Sequence, residues 1–184
     1  FDDPARPLEI EIGSGKGTFL VQQAAIDAGT NFLGIEHAGE FARHAADRLR
    51  RHGLENIRLL WGDAVDLIRY RVRADVVDVI HLYYSDPWPK SRHHKRRVVQ
   101  RESLRAFHRV LVPAGRLHLV TDHDELWAWY LEHVAWAEGE GLFSRTEFTP
   151  PTSAGPGELV GTNYERKFVA EGRAKHATTL VATG

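Results

Sequence analysis

Apolar and polar residues alternate through Leu8-Glu9-Ile10-Glu11-Ile12 and stop at Gly13, which predicts a β-strand feeding a glycine turn. Residues 18–28 carry a helix pattern ended by Gly29, and residues 31–35 form a second strand pattern. An amphipathic, arginine-rich helix is predicted over 40–52, closed by Gly53. Residues 56–61 read as a third strand and 64–70 as a short helix. The near-continuous apolar run 76–83 reads as a buried parallel strand. A helix over 100–111 stops at Pro113, a fifth strand covers 116–120, and a Trp-rich helix covers 124–138. Five alternations of strand and helix predict an α/β protein with a doubly wound, mostly parallel sheet. Beyond Gly141 the pattern loosens. Residues 149–161, rich in Pro, Gly, Ser and Thr, predict a long surface loop of the kind that binds ligands. A short helix over 162–172 and a last strand over 178–182 complete the reading.

Such sheets bind ligands beyond the carboxyl ends of their strands. The residues there are Glu11-Ile12-Gly13, Glu36, Gly62-Asp63, Ser85-Asp86-Pro87 and Thr121-Asp122. The turn Gly13-Ser14-Gly15-Lys16-Gly17 lets backbone amides approach a ligand. A phosphate-binding P-loop requires glycine where Ile10 stands and Ser or Thr where Gly17 stands. A dinucleotide fingerprint requires glycine in place of Thr18. What remains is Gly-x-Gly-x-Gly behind an acid, which suits S-adenosylmethionine, a cofactor without phosphate. A plain structural turn is the competing reading. Glu36 ends the second strand where an acid accepts ribose hydroxyls. Asp63 is placed either to accept from an adenine amino group or to cap the helix after it.

Composition narrows the classes. The 184 residues fit one domain, 1–184, with 42% apolar and 27% charged residues. Mean hydropathy is −0.38 and no apolar run is long enough to span a bilayer. Cysteine is absent, which excludes disulfides, thiolate nucleophiles and Cys-ligated metal. Eleven histidines show no metal-ligand spacing, so no metal site is expected. No signal peptide is visible, and a cytoplasmic location is expected. Net charge is −1, so any nucleic-acid affinity must be local. Residues 88–101 supply that locality, holding six Lys or Arg and no acid. A solvated face is the common fate of such a run, but this one follows a strand's carboxyl end, beside the expected cofactor.

The segment Asp86-Pro87-Trp88-Pro89-Lys90-Ser91-Arg92-His93-His94-Lys95-Arg96-Arg97 resembles the signature of the bacterial tRNA (guanine-N(7)-)-methyltransferases. The resemblance extends through Gly34-Ile35-Glu36, Gly62-Asp63-Ala64, Thr121-Asp122 and Thr162-Asn163-Tyr164-Glu165. Ser85 stands where the family usually has proline, and the N-terminal segment that the family carries before the first strand is expected to be missing. The resemblance implies a Rossmann-like class I methyltransferase. It implies that Glu11, Gly13, Gly15, Glu36, Asp63 and Asp86 bind S-adenosylmethionine. Lys90, Asp122, Thr162, Asn163, Tyr164 and Glu165 would contact the substrate nucleotide, and Arg92, His93, His94, Lys95, Arg96 and Arg97 would contact RNA. The implied target is a guanine of the tRNA variable loop. Asp86 is the expected catalytic residue, either stabilising the positive charge that develops on the guanine ring or holding the guanine by its N1–H and amino edge. The implied partner is tRNA, with the enzyme a monomer or homodimer needing no second subunit. Two local readings stand beside these: Asp122 as a helix cap, and Thr162 with Glu165 as a capping box. An RNA-binding module of this fold without activity is the alternative.

Overall fold

The computed structural model describes residues 1–184, apart from the side chains of residues 163 and 168–170. Seven strands form one sheet in the order β3-β2-β1-β4-β5-β7-β6. The strands are β1 Leu8–Ile12, β2 Asn31–Glu36, β3 Ile57–Trp61, β4 Val77–Tyr83, β5 Leu111–Thr121, β6 Phe143–Thr146 and β7 His176–Ala182. The helices are α1 Thr18–Ile26, α2 Gly39–His52, α3 Ala64–Arg71, α4 Arg101–Val110, α5 Asp124–Gly139 and α6 Asn163–Ala170. β1 to β5 pair in parallel, and β7 inserts antiparallel between β5 and β6.

Alternation sorts each strand between two layers. Ile10, Ile12, Ile35, Ile80, Leu82, Leu117, Leu119 and Leu180 pack with Ile68 of α3, Leu104 and Phe107 of α4, and Tyr130 and Val134 of α5. On the opposite face α1 buries Leu20, Val21 and Ala24 against Phe32 and Ile57, while Phe19 meets Tyr83 and Val120. α1 lies close because β2 has glycine at position 34, where a Cβ would stand 2.3 Å from the Leu20 side chain. This same face carries a polar row. Glu11, His81, His118 and Thr179 are neighbours in register across β1, β4, β5 and β7.

Three elements depart from the sequence reading. β5 begins at Leu111 rather than at residue 116. β6 carries one buried residue, Phe143, too little apolar periodicity to announce a strand. The basic stretch after β4, assigned no helix or strand from its sequence, contains a 3-10 helix over Ser91–Arg96.

Candidate active site

Gly13, Gly15 and Gly17 all have positive φ, at 74°, 53° and 69°. Open space surrounds the position of a Cβ at Gly13 and Gly15. The turn is tied to β2: the Gly13 and Ser14 amides donate to the Ile35 carbonyl, and the Gly15 amide donates to Glu36 Oε2 at 2.7 Å. Glu36 Oε1 accepts from the Ala38 amide, also at 2.7 Å. Both oxygens of Glu36 are thus held by backbone, and each retains a lone pair for a further donor.

Glu11 is 4% exposed, and its Oε2 has no hydrogen-bond partner; nor does the buried Ser14 hydroxyl. Burial, with the Glu36 charge added, pushes the Glu11 carboxyl well above its usual range. A buried, unpartnered carboxylate beside an open glycine turn fits a cationic ligand. Below it lies a second polar set, in which Glu9 Oε2 bonds His81 Nε2 at 2.8 Å and His81 Nδ1 bonds the Tyr83 hydroxyl at 2.7 Å. Asp63 accepts from the Asp66 amide at 3.0 Å and caps α3, so its helix-cap role is real.

At the ends of β4 and β5 a pocket of about 130 Å³ opens, lined by Tyr84, Ser85, Asp86, Pro87, Asp122, His123, Tyr164 and Arg173. The backbone into it is strained, with positive φ at Tyr84 (52°) and Trp88 (44°) on either side of Asp86. Ser85 steadies this turn through its hydroxyl, 2.7 Å from that of the buried Tyr130, a bond that a proline cannot make. Asp122 does not cap α5; His123 Nδ1 accepts from the Leu126 amide instead. Asp122 pairs with Arg173 at 3.0 Å.

Three residues per turn sort the basic helix into three faces. Arg92 and Lys95 are exposed and follow Lys90, which is exposed too. His93 and Arg96 flank Trp88, His93 edge-on at 5.8 Å and Arg96 at 4.9 Å from the ring centroid. His94 and Arg97 face α5. The side chain of Arg97 is 1% exposed; it donates to the Pro87 carbonyl at 2.9 Å and to Glu125 at 2.6 Å, and lies over Trp129. Arg97, expected among the RNA contacts, is therefore an internal brace holding the Asp86 turn against α5.

Glu165, expected at the substrate, points inward. Its carboxylate accepts from the Leu159, Val160 and Gly161 amides and from Lys175, and it is 1% exposed. It folds the long loop back on the sheet, where Val160 packs with Phe148 and Tyr83. The Thr162 hydroxyl accepts from the Glu165 amide at 3.1 Å, one half of the capping box. Tyr164 is exposed at the pocket, and the side chain of Asn163 lies outside the described residues. Among the described residues no three His, Asp or Glu gather as metal ligands, and no helix is long and apolar enough to cross a membrane.

Residues 5–178 match a family described as "Putative methyltransferase". The tRNA (guanine-N(7)-)-methyltransferase of Halorhodospira halophila is 35% identical over 176 residues, covering 94% of this chain and 73% of that protein. That of Geobacillus kaustophilus is 36% identical over 167 residues, covering 91% and 75%. The chain belongs to the tRNA (guanine-N(7)-)-methyltransferase family. The fold agrees with class I methyltransferases: the aminoglycoside resistance methyltransferase NpmB1 superposes with a TM-score of 0.63 at 19% identity, covering 97% of this chain and 88% of that one. For a methyltransferase of this family and fold the cofactor is S-adenosylmethionine, and the open glycine turn with the unpartnered Glu11 and Ser14 fits it. The sequence reading did not reach Arg173, Tyr130 or the brace role of Arg97, because each acts through a partner distant in the chain.

Proposed function

We propose that the protein transfers a methyl group from S-adenosylmethionine to N7 of a guanine in the tRNA variable loop. The observation that carries this reading is the Asp86–Asp122 pocket at the adjacent strand ends of β4 and β5, next to β1 with its glycine turn, with the exposed Arg92 and Lys95 in the segment that follows β4. S-adenosylmethionine supplies its methyl on a sulfonium, a leaving group already activated. Guanine N7 has a lone pair in the base plane, so this chain need supply no general base for the attack. The work of the residues is alignment, worth up to about 7–11 kcal/mol in well-oriented systems. Glu11 and Gly15 hold the cofactor end, and Glu36 and Asp63 hold its ribose and adenine. Asp86 opposes the positive charge that develops on the imidazole ring as the methyl arrives. Lys90, Arg92 and Lys95 hold RNA phosphates. The enzyme works in the cytoplasm as a monomer or homodimer.

The test is methyl transfer from labelled cofactor to unmodified tRNA transcripts, followed by nucleoside analysis. The expected product is 7-methylguanosine, lost when the variable-loop guanine is replaced. Bound cofactor and bound tRNA without product would overturn the reading in favour of an RNA-binding module.

A further inference from the structure

The carboxyl end of β3 carries an aromatic side chain that is exposed and yet fixed in place. Trp61 is 73% exposed, while its indole N–H donates to the His37 carbonyl at 3.0 Å. The ring lies against Gly39 at the start of α2, where a Cβ would stand 3.1 Å from the nearest indole atom. A groove of about 300 Å³ lies between α2 and β3, lined by Gly39, Ala42, Arg43, Ala46, Leu59 and Trp61. β3 is an edge strand, so no further strand of the sheet covers it. An aromatic ring held open in this way gives up little freedom when a flat ligand stacks on it.

The charge beside the ring is positive. Arg43 stands one helical turn after Gly39, is exposed, and makes no ion pair among the described residues. The acids of α2 are engaged elsewhere: Asp47 pairs with Arg50 and Arg51, each at 2.8 Å, and Glu40 lies 4.0 Å from His44. The exposed Lys16 of the glycine turn lies 6.0 Å from the ring of Phe41 on the same helix, which extends the positive charge toward β1. β3, β2, β1 and β4 are parallel neighbours, so Trp61 stands on the same rim of the sheet as the Asp86–Asp122 pocket. Three strand spacings, about 14 Å, separate the ends of β3 and β4.

We propose that this groove is a further contact for RNA, in which an unpaired base of the tRNA stacks on Trp61 and an adjacent phosphate is held by Arg43; this rests on the reading of tRNA as the substrate. An aromatic platform beside a cation suits an unpaired stretch of nucleic acid, because every base offers a π-face and every link a charge. In the sheet order β3 lies on one side of β1, and β4, which leads into the basic segment, lies on the other. The two contacts would thus grip the tRNA on both sides of the glycine turn. A second copy of this chain fits less well, since a two-fold contact through this edge sets the arginines of α2 against their own copies, like charge against like.

The experiment measures binding of unmodified tRNA transcripts across a salt series for the wild type, Trp61→Ala, Trp61→Phe and Arg43→Ala. Calorimetry of S-adenosylmethionine binding and sedimentation at matched concentration accompany it. Trp61→Ala should weaken tRNA binding by about fivefold or more and leave the salt slope unchanged, because stacking releases no counterion. Trp61→Phe should keep most of the affinity. Arg43→Ala should reduce the salt slope by about one. Cofactor affinity and mass should match the wild type in all three. Unchanged tRNA affinity in Trp61→Ala, or an unchanged salt slope in Arg43→Ala, would overturn the proposal. So would loss of cofactor affinity in Trp61→Ala, which would put the ring in the cofactor site, or loss of a self-association that the wild type shows, which would make this edge an interface between copies. A wild type that does not bind tRNA would instead overturn the reading of tRNA as the substrate.

Discussion

The Gly15 amide and the Glu36 carboxylate meet at 2.7 Å, and through this bond the shape of the glycine turn depends on an acid at the end of the neighbouring strand. The second oxygen of Glu36 holds the Ala38 amide at the start of α2, so one side chain fixes both the glycine turn and the start of that helix. Replacing Glu36 with Gln leaves one acceptor oxygen for two amides. Both bonds are part-buried, and leaving such a donor unsatisfied costs up to about 1–3 kcal/mol. We expect Glu36→Gln to weaken S-adenosylmethionine binding at least tenfold by calorimetry and to lower the unfolding midpoint. Unchanged affinity would mean that the turn holds its shape without the acid.

Glu11 gives the proposed cofactor site a pH dependence of definite sign. Burial and then the Glu36 charge raise its pKa, so the free site binds a proton more readily than an exposed carboxyl does. A cationic cofactor favours the ionised form, and binding must release that proton. Affinity for S-adenosylmethionine should therefore rise as pH rises through the elevated pKa. Affinity for the neutral-sulfur product should rise less. Titrations in buffers of different ionisation heat would read the proton directly; Glu11→Gln should abolish its release. Equal pH profiles for wild type and Glu11→Gln would remove Glu11 from this role.

The faces of the basic segment separate the proposed RNA contacts from bracing. The double variant Arg92→Ala, Lys95→Ala should weaken tRNA binding, reduce the salt slope by about two and leave thermal stability alone. Arg97→Ala should do the opposite. It strips the Pro87 carbonyl and Glu125 of their donor, lowers the unfolding midpoint and slows turnover by loosening the Asp86 turn. Binding isotherms across a salt series, with calorimetric unfolding, distinguish the two. A reduced salt slope in Arg97→Ala would show that its charge reaches RNA.

The strand ends were legible because each of β1 to β4 has a clear apolar pattern, and the sheet rule then pointed at Glu11, Glu36, Asp63 and Asp86. The 3-10 helix was not, because a run of basic residues has no apolar period to betray a three-residue turn. Nor was the burial of Arg97, whose partner Glu125 lies 28 residues away on α5. Thr162 and Glu165 showed a capping spacing, but only half of that box forms, since Glu165 turns to the loop amides. The Asp122–Arg173 pair spans 51 residues, beyond the reach of any local pattern.

His118 ties stability to pH. Its ring is packed between His81, at 5.4 Å, and Phe148, at 5.3 Å, and its Nδ1 meets the Thr179 hydroxyl at 2.8 Å. Burial, then the neighbouring His81 and Arg116, lower its pKa from 6.5 to about 3. The folded chain thus keeps this ring neutral where the unfolded chain protonates it. Stability contributed by the neutral ring is fully present above about pH 6.5 and is lost as pH falls toward 3, at up to about 1.4 kcal/mol per pH unit. His118→Gln keeps an acceptor for Thr179 and removes the titration. Urea unfolding between pH 7 and pH 4.5 should show the wild type losing stability more steeply than the variant, with the gap opening below pH 6.5. Parallel curves would mean that the cavity admits the protonated ring.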